Sequence, residues 1–164
     1  MVWDLKKDIA CGTLSERKVI SWFNKNIYQN DWIKAYKNNT KQVDFCNNSI
    51  IGELKSRFNN HDSYPDTMFG MNKIDYLLNQ VKKGEERELK FFFLFTDGLY
   101  EWTYHEDQYE ERSFNHKEKG YKPYAYVKHE YLKKLTSDIT MNSPLPEDMD
   151  KYIIDSERFV LSFD

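Results

Sequence analysis

Residues 41–57, KQVDFCNNSIIGELKSR, read as a β-hairpin with two mostly apolar arms. The pair Asn47-Asn48 favours a two-residue turn between the arms. Asp44, Glu53 and Lys55 place charges in this otherwise apolar hairpin. Because burying a charge is costly, these side chains need either a structural partner or a chemical role.

The spacing of Asp44, Glu53 and Lys55 indicates which of these side chains can lie close together in the hairpin. Side chains alternate between the two faces of a strand, so Glu53 and Lys55 share one face of the second arm. With the two-residue turn, Asp44 pairs with Ile51 and lies diagonal to Glu53, about 7 Å away between backbones. Two carboxylates at that separation can hold one hard cation such as Mg²⁺. Lys55 can offset their charge, contact a phosphate oxygen or orient an attacking water.

Two predicted helices flank the hairpin. Residues 13–28 show an apolar stripe at helical spacing, and Glu16 falls on this stripe. A second stripe predicts a helix over 68–83, which carries Lys73. Residues 88–96, ELKFFFLFT, are apolar at both alternating sets of positions and predict a central strand covered on both sides. The order of these elements predicts an α/β fold with a mixed central sheet flanked by helices.

The remaining segments are assigned from turn residues and short apolar runs. They are a loop at 58–67, a return strand at 99–104, a loop or insertion at 105–120, a strand at 124–127, a short helix at 129–135 and a C-terminal strand within 151–163. A length of 164 residues predicts a single domain. We divide it into a core at about 13–104 and a C-terminal elaboration at about 105–164.

Charge and composition speak against several classes of protein. The net charge of −3 speaks against a protein that coats nucleic acid, which usually carries a basic surplus. The sequence contains no run of about 18 apolar residues, so it predicts no membrane-spanning helix. The first residues lack the apolar segment of a secretory signal, and Cys11 and Cys46 form no CxxC pair. We therefore expect a reduced, intracellular, cytoplasmic protein, located in the host cell if the chain is viral.

The order Asp44, then Glu53-Leu54-Lys55, on a hairpin between a Glu-bearing helix and a second helix, resembles the PD-(D/E)XK nuclease superfamily. The resemblance covers residues 13–97. This superfamily includes restriction endonucleases, Holliday-junction resolvases and phage exonucleases, with a shared αβββαβ core. The resemblance implies a restriction-endonuclease-like core with C-terminal additions. The chain departs from the pattern where Gln42-Val43, and not a proline, precede Asp44.

The resemblance also implies roles for single residues. Asp44 and Glu53 match the metal ligands, which bind Mg²⁺ or Mn²⁺. Lys55 matches the catalytic lysine, and Glu16 matches the acid that some branches carry on the first helix. Lys73 lies where some branches place a further polar active-site residue.

The implied function is metal-dependent hydrolysis of phosphodiester bonds in DNA, as an endonuclease. A short chain rich in Asn, Lys, Ile and Tyr is typical of phage, viral or mobile-element proteins. The sequence does not separate DNA from RNA, and the resemblance leaves a homodimer open. Arg57 joins Lys73 as a possible auxiliary residue, on a track of basic side chains for phosphates.

Other interpretations stay open. Asp44, Glu53 and Lys55 could form an ordinary cross-strand salt bridge. Glu16 could be the capping-box partner of Thr13, and Lys73 could be a solvated helix lysine. The four histidines show no metal-ligand spacing and are interpreted as surface residues. A non-catalytic module that binds nucleic acid or protein on a nuclease-like scaffold is the alternative function.

Overall fold

The structure of the protein is a computed structural model that describes residues 5–36, 43–118, 120–148 and 150–154. In chain order its elements are α1 Leu5–Asn26, β1 Lys34–Tyr36, β2 Phe45–Cys46, β3 Ile50–Ser56, β4 Asp66–Gly70, α2 Met71–Lys82, β5 Glu88–Phe95, β6 Gly98–Thr103, β7 Glu110–His116, β8 Gly120–Lys128, a 3₁₀ turn His129–Tyr131, β9 Lys133–Thr136 and β10 Ile153–Ile154. Four strands thus separate the two helices, and further strands follow α2.

The strands form two sheets. The large sheet has the order β10-β1-β2-β3-β5-β6-β9, and the small sheet has the order β4-β8-β7. The large sheet is mixed: β3 and β5 run parallel in register from Ile50↔Glu88 to Ser56↔Leu94, whereas β2–β3 and β5–β6 are antiparallel. A parallel pair needs a long crossover, and the segment with β4 and α2 supplies it. The predicted mixed α/β fold is confirmed at this level.

Strand β5 lies between two apolar cores. Phe91, Phe93 and Phe95 pack with the α2 helix and the small sheet. Phe92 and Leu94 pack on the opposite face with α1. The continuous apolar sequence of this strand follows from its two covered faces, as predicted.

Helix α1 starts earlier than predicted. It begins at Leu5 and not at Thr13, and it ends at Asn26. Residues 5–12, LKKDIACG, contain good helix formers that extend the helix toward the N-terminus despite one glycine. Thr13 therefore lies inside the helix, and the capping-box interpretation of Glu16 is wrong.

Four further assignments are corrected. Residues 66–70 form β4, so the predicted loop at 58–67 and the predicted helix at 68–83 both lose residues to this strand. The predicted loop at 105–120 contains β7, which pairs with β8. The predicted helix at 129–135 is a 3₁₀ turn followed by β9. Most of β7 is exposed, so it lacks the apolar alternation that reveals a half-buried strand.

The C-terminal region contributes to the same sheet as the core. β9 and β10 occupy the two edges of the large sheet. β10 lies in the C-terminal segment 151–163, and the strand predicted at the end of that segment, RFVLSF (158–163), lies outside the described residues. Of the helices that the structure describes, none has the length and apolar character to cross a membrane.

Gly52 marks a close approach between strands. A Cβ atom there would lie 3.1 Å from Phe92 Cε2, 3.2 Å from Phe45 Cε2 and 3.3 Å from the Lys90 carbonyl oxygen. Both rings are fully buried and the carbonyl belongs to the strand ladder, so none of these atoms can move away easily.

We predict that Gly52→Ala lowers the free energy of unfolding by about 1–3 kcal/mol, because it overpacks this contact. Gly12→Ala is the matched control, since nothing lies within 4 Å of its added Cβ. In a helix that change should stabilise the fold by about 0.5–1 kcal/mol. Urea denaturation measures both variants, and an equally stable Gly52→Ala protein would contradict the packing argument.

Candidate functional site

The connection between β2 and β3 differs from the predicted two-residue turn. Phe45 pairs with Gly52 and Cys46 with Ile51, and three residues, 47–49, connect the two strands. Asn47 closes it, because its Oδ1 accepts hydrogen bonds from the backbone N–H groups of Ser49 (2.7 Å) and Ile50 (2.8 Å). An asparagine side chain can mimic a backbone turn in this way.

This register brings Asp44 to Glu53. The pairing is shifted by two residues from the prediction, so Asp44 lies beside Glu53 and not opposite Ile51. Asp44 Oδ2 accepts a hydrogen bond of 2.7 Å from the Leu54 N–H, and the Asp44 N–H donates to the Gly52 carbonyl at 3.1 Å. Both contacts fix the Asp44 carboxylate against β3. A shift by two residues keeps every side chain on its predicted face.

Glu53 is the most buried member of the site. It is 1% exposed, and its carboxylate shares a side-chain hydrogen bond with Asp44. The Lys73 ammonium, on α2, lies 3.2 Å from Glu53 Oε1 and forms an ion pair with it. Burial, and after it the negative charge of Asp44, raise the pKa of Glu53 well above its usual range, although Lys73 and Lys55 act in the opposite direction.

Glu16 joins the same group from α1. Burial is the main cause that raises the pKa of Glu16 to about 9, and the neighbouring Asp44 is the next. The charge of Lys55 favours the ionised form of both Glu16 and Glu53. Glu16, Asp44 and Lys55 are half-buried, so the cluster is reachable from solvent on their side.

We name Glu16, Asp44, Glu53, Lys55 and Lys73 the acid–lysine cluster. It contains every site residue predicted from the sequence except Arg57. Arg57 directly follows β3 and donates hydrogen bonds to the backbone carbonyls of Ser56 (3.0 Å) and Met68. Its guanidinium lines a separate cavity near the end of the strand.

The structure also forms a group that the sequence did not predict. His61, Asp62 and Asp97 offer ligand atoms within 4.8 Å of one another, enough to hold a metal ion. His61 Nδ1 lies 2.5 Å from Asp97 Oδ2 and 2.9 Å from the Tyr100 hydroxyl, and the His61 N–H donates to Asp97 Oδ1 at 3.0 Å. These bonds tie the loop after β3 to the turn after β5. His61 and Asp97 are 36 residues apart, so their spacing gave no signal.

The surroundings of this group also shift the pKa values of Asp97 and Tyr100. Burial alone would raise the pKa of Asp97, but the hydrogen bonds and charge of His61 outweigh it and lower that pKa. Burial, followed by the charge of Asp97, raises the pKa of Tyr100 to about 12. His61, Asp97 and Tyr100 thus form one hydrogen-bond network, and Asp62 Oδ1 lies 3.9 Å from His61 Nδ1.

The acid–lysine cluster offers a different set of ligand types from the His61, Asp62 and Asp97 group. Three carboxylates supply the hard oxygen ligands that Mg²⁺ and Mn²⁺ prefer, and two lysines supply positive charge for a phosphate. Among the described residues, only the His61, Asp62 and Asp97 group has three ligand atoms within 4.8 Å of one another. Glu16, Asp44 and Glu53 supply suitable ligand types but would have to move closer together to share one cation. Comparison with protein families, with curated proteins and with solved structures finds no match to this chain. Its function is accordingly argued from this geometry.

We predict that Glu53→Gln, measured in chelator, raises the free energy of unfolding by about 0.5–2 kcal/mol. The change removes a buried acid that faces another carboxylate, and we expect this gain to exceed the loss of the ion pair with the partly exposed Lys73. Functional residues often lower stability in this way.

Glu85→Gln is the matched control, because Glu85 is also buried but its carboxylate is bonded to Arg87. Breaking that pair should lower stability by about 3 kcal/mol. Chemical denaturation of both variants measures the difference. Destabilisation of Glu53→Gln to the level of Glu85→Gln would make Glu53 a structural residue.

Proposed function

We propose that the chain is a divalent-metal-dependent nuclease that hydrolyses phosphodiester bonds in DNA. Glu53 carries the proposal: it is an acid that is 1% exposed, and the neighbouring Asp44 adds a second negative charge beside it. An acid in this position lowers stability unless a cation compensates it. The Lys73 ammonium supplies part of that charge in the free protein.

Asp44 and Glu53 would hold Mg²⁺ or Mn²⁺, and Glu16 would add a third carboxylate. When bound, such an ion activates water and stabilises the charge that develops on a phosphate. Ions of this size take oxygen ligands at about 2.0–2.1 Å and retain several waters. The hydrogen bond from the Leu54 N–H orients the Asp44 carboxylate before an ion arrives.

Lys55 is the residue that we assign to contact the reacting phosphate. Its charge acts on both Glu16 and Glu53, so its ammonium belongs to the same electrostatic unit. From there it would bind a phosphate oxygen or orient the attacking water. Hydrolysis adds the water to phosphorus and releases one strand end with a hydroxyl and one with a phosphate.

The element order supports the resemblance to the PD-(D/E)XK superfamily. Helix α1, strands β1–β3, helix α2 and strand β5 follow the αβββαβ order, with β4 inserted before α2. The parallel pairing of β3 with β5 follows from that crossover. The endonucleolytic mode, DNA as substrate, the phage, viral or mobile-element origin and a homodimer rest on the resemblance alone.

A metal titration tests the proposal first. We predict saturable binding of Mn²⁺ to the wild-type protein by isothermal titration calorimetry, and loss of this binding in Glu53→Gln. His61→Gln is the control that separates the cluster from the His61, Asp62 and Asp97 group. Binding that survives in Glu53→Gln and disappears in His61→Gln would move the metal site and overturn the assignment of Glu53.

A cleavage assay tests the chemistry. With Mn²⁺ and closed circular DNA, we predict that Asp44→Ala and Lys55→Ala each reduce the cleavage rate by about 10²–10⁴-fold. Lys82→Ala, on the exposed surface of α2, should keep the wild-type rate. Cleavage only of linear DNA would replace the endonuclease with an exonuclease, and cleavage only of RNA would change the substrate. Full activity in both active-site variants would refute the catalytic roles.

The alternative is a non-catalytic binding module on a nuclease-like scaffold. The observation in its favour is the exposed β7–β8 hairpin, where Tyr121 is 76% exposed. A module of this kind would bind its partner equally well in chelator and with Glu53→Gln.

A further inference from the structure

Arg57 carries a charge that no acid neutralises within the described part of the chain. Its guanidinium bonds to the carbonyls of Ser56 and Met68, and no carboxylate oxygen of the described residues lies within ion-pair distance. Burial lowers the pKa of Arg57, so its environment disfavours the positive charge. Since arginine remains protonated in proteins, a bound anion is the natural compensation.

The guanidinium lines a cavity of about 340 Å³, the size of a small-ligand site. The nearby acids already have partners. Asp66 Oδ2 lies 3.7 Å from Arg112 Nη2, and Asp97 bonds to His61 at 2.5 Å. His61 and Asn59 also line the cavity and add polar groups to the guanidinium.

Aromatic side chains surround the same opening. Tyr64 and Tyr126 line the cavity, and Tyr64 is 63% exposed. Exposed rings beside a cationic group are the combination that holds single-stranded nucleic acid, because bases stack on rings while phosphates bind the cation.

We propose that the Arg57 cavity binds a phosphate group of the nucleic-acid strand, with a neighbouring base stacked on Tyr64. This inference rests on the proposed nuclease function, since the strand is its substrate. Arg57 directly follows β3 and lies four residues beyond Glu53, or about 13 Å away at the rise of an extended chain. The cavity would therefore hold the substrate at a fixed distance from the cleaved bond.

The test measures, by fluorescence anisotropy, the binding of a fluorescently labelled oligo(dT) of eight nucleotides. Chelator is present so that no cleavage occurs. Oligonucleotides with and without a 5′-phosphate are compared. We expect Arg57→Gln to weaken binding about tenfold or more. Tyr64→Ala should weaken it about fivefold or more. Lys151→Gln is the matched charge control, because Lys151 precedes β10 at the far edge of the large sheet.

Each outcome decides the proposal. An effect of Arg57→Gln on the 5′-phosphorylated strand alone assigns the cavity to a terminal phosphate, and an equal effect on both strands assigns it to an internal one. Unchanged affinity in Arg57→Gln, or the same loss in Lys151→Gln, overturns the proposal, as does no binding by the wild type. If Arg57→Gln fails to fold, Tyr64→Ala decides, and unchanged affinity there overturns it.

The failure of this inference is separable from that of the proposed function. Cleavage that requires Lys55 while Arg57→Gln binds normally would leave a nuclease without the phosphate cavity. Oligonucleotide binding that requires Arg57, in a protein that binds no metal and cuts nothing, would leave the cavity and remove the nuclease.

Discussion

The parallel pairing of β3 with β5 is the constraint on which the rest of the structure depends. Seven residue pairs join the two strands, and no short turn can connect strands that run in the same direction. The chain must cross over a face of the sheet, and α2 travels with that crossover. The α2 helix consequently lies over the face of β3 that carries Glu53, and it brings Lys73 to that acid. Fold and candidate site thus share one cause.

The second determinant is the free-energy cost of burying the Glu53 carboxylate. Apolar residues surround β3 on both faces, as Ile51 and Leu54 illustrate, so a carboxylate there loses its water. Asp44 adds a second negative charge beside it, and a hydrogen bond from β3 keeps Asp44 there. A sequence shaped only for stability would place an apolar side chain at this position. The arrangement is the kind of local conflict that functional sites retain.

The sequence predicted what depends on local pattern. The apolar run of β5 indicated a strand covered on both sides, and alternation along β3 placed Glu53 and Lys55 on one face. The hairpin register could not be predicted, because it depends on a side-chain bond from Asn47 that two-residue turn preferences do not describe. The contact of His61 with Asp97 depends on how loops from β3 and β5 meet, which no sequence spacing reveals. β7 escaped detection because its exposed faces carry no apolar period.

The two faces of β3 have a consequence for folding errors. Ile50, Gly52 and Leu54 face α1, while Ile51, Glu53 and Lys55 face the other side. A slip of one residue during strand pairing would exchange these sets and force an acid and a lysine into the apolar layer beneath α1. It would also press a leucine against the carboxylates. Misregistered chains are therefore energetically penalised, so the charges proposed for chemistry also protect the chain from pairing its central strand incorrectly.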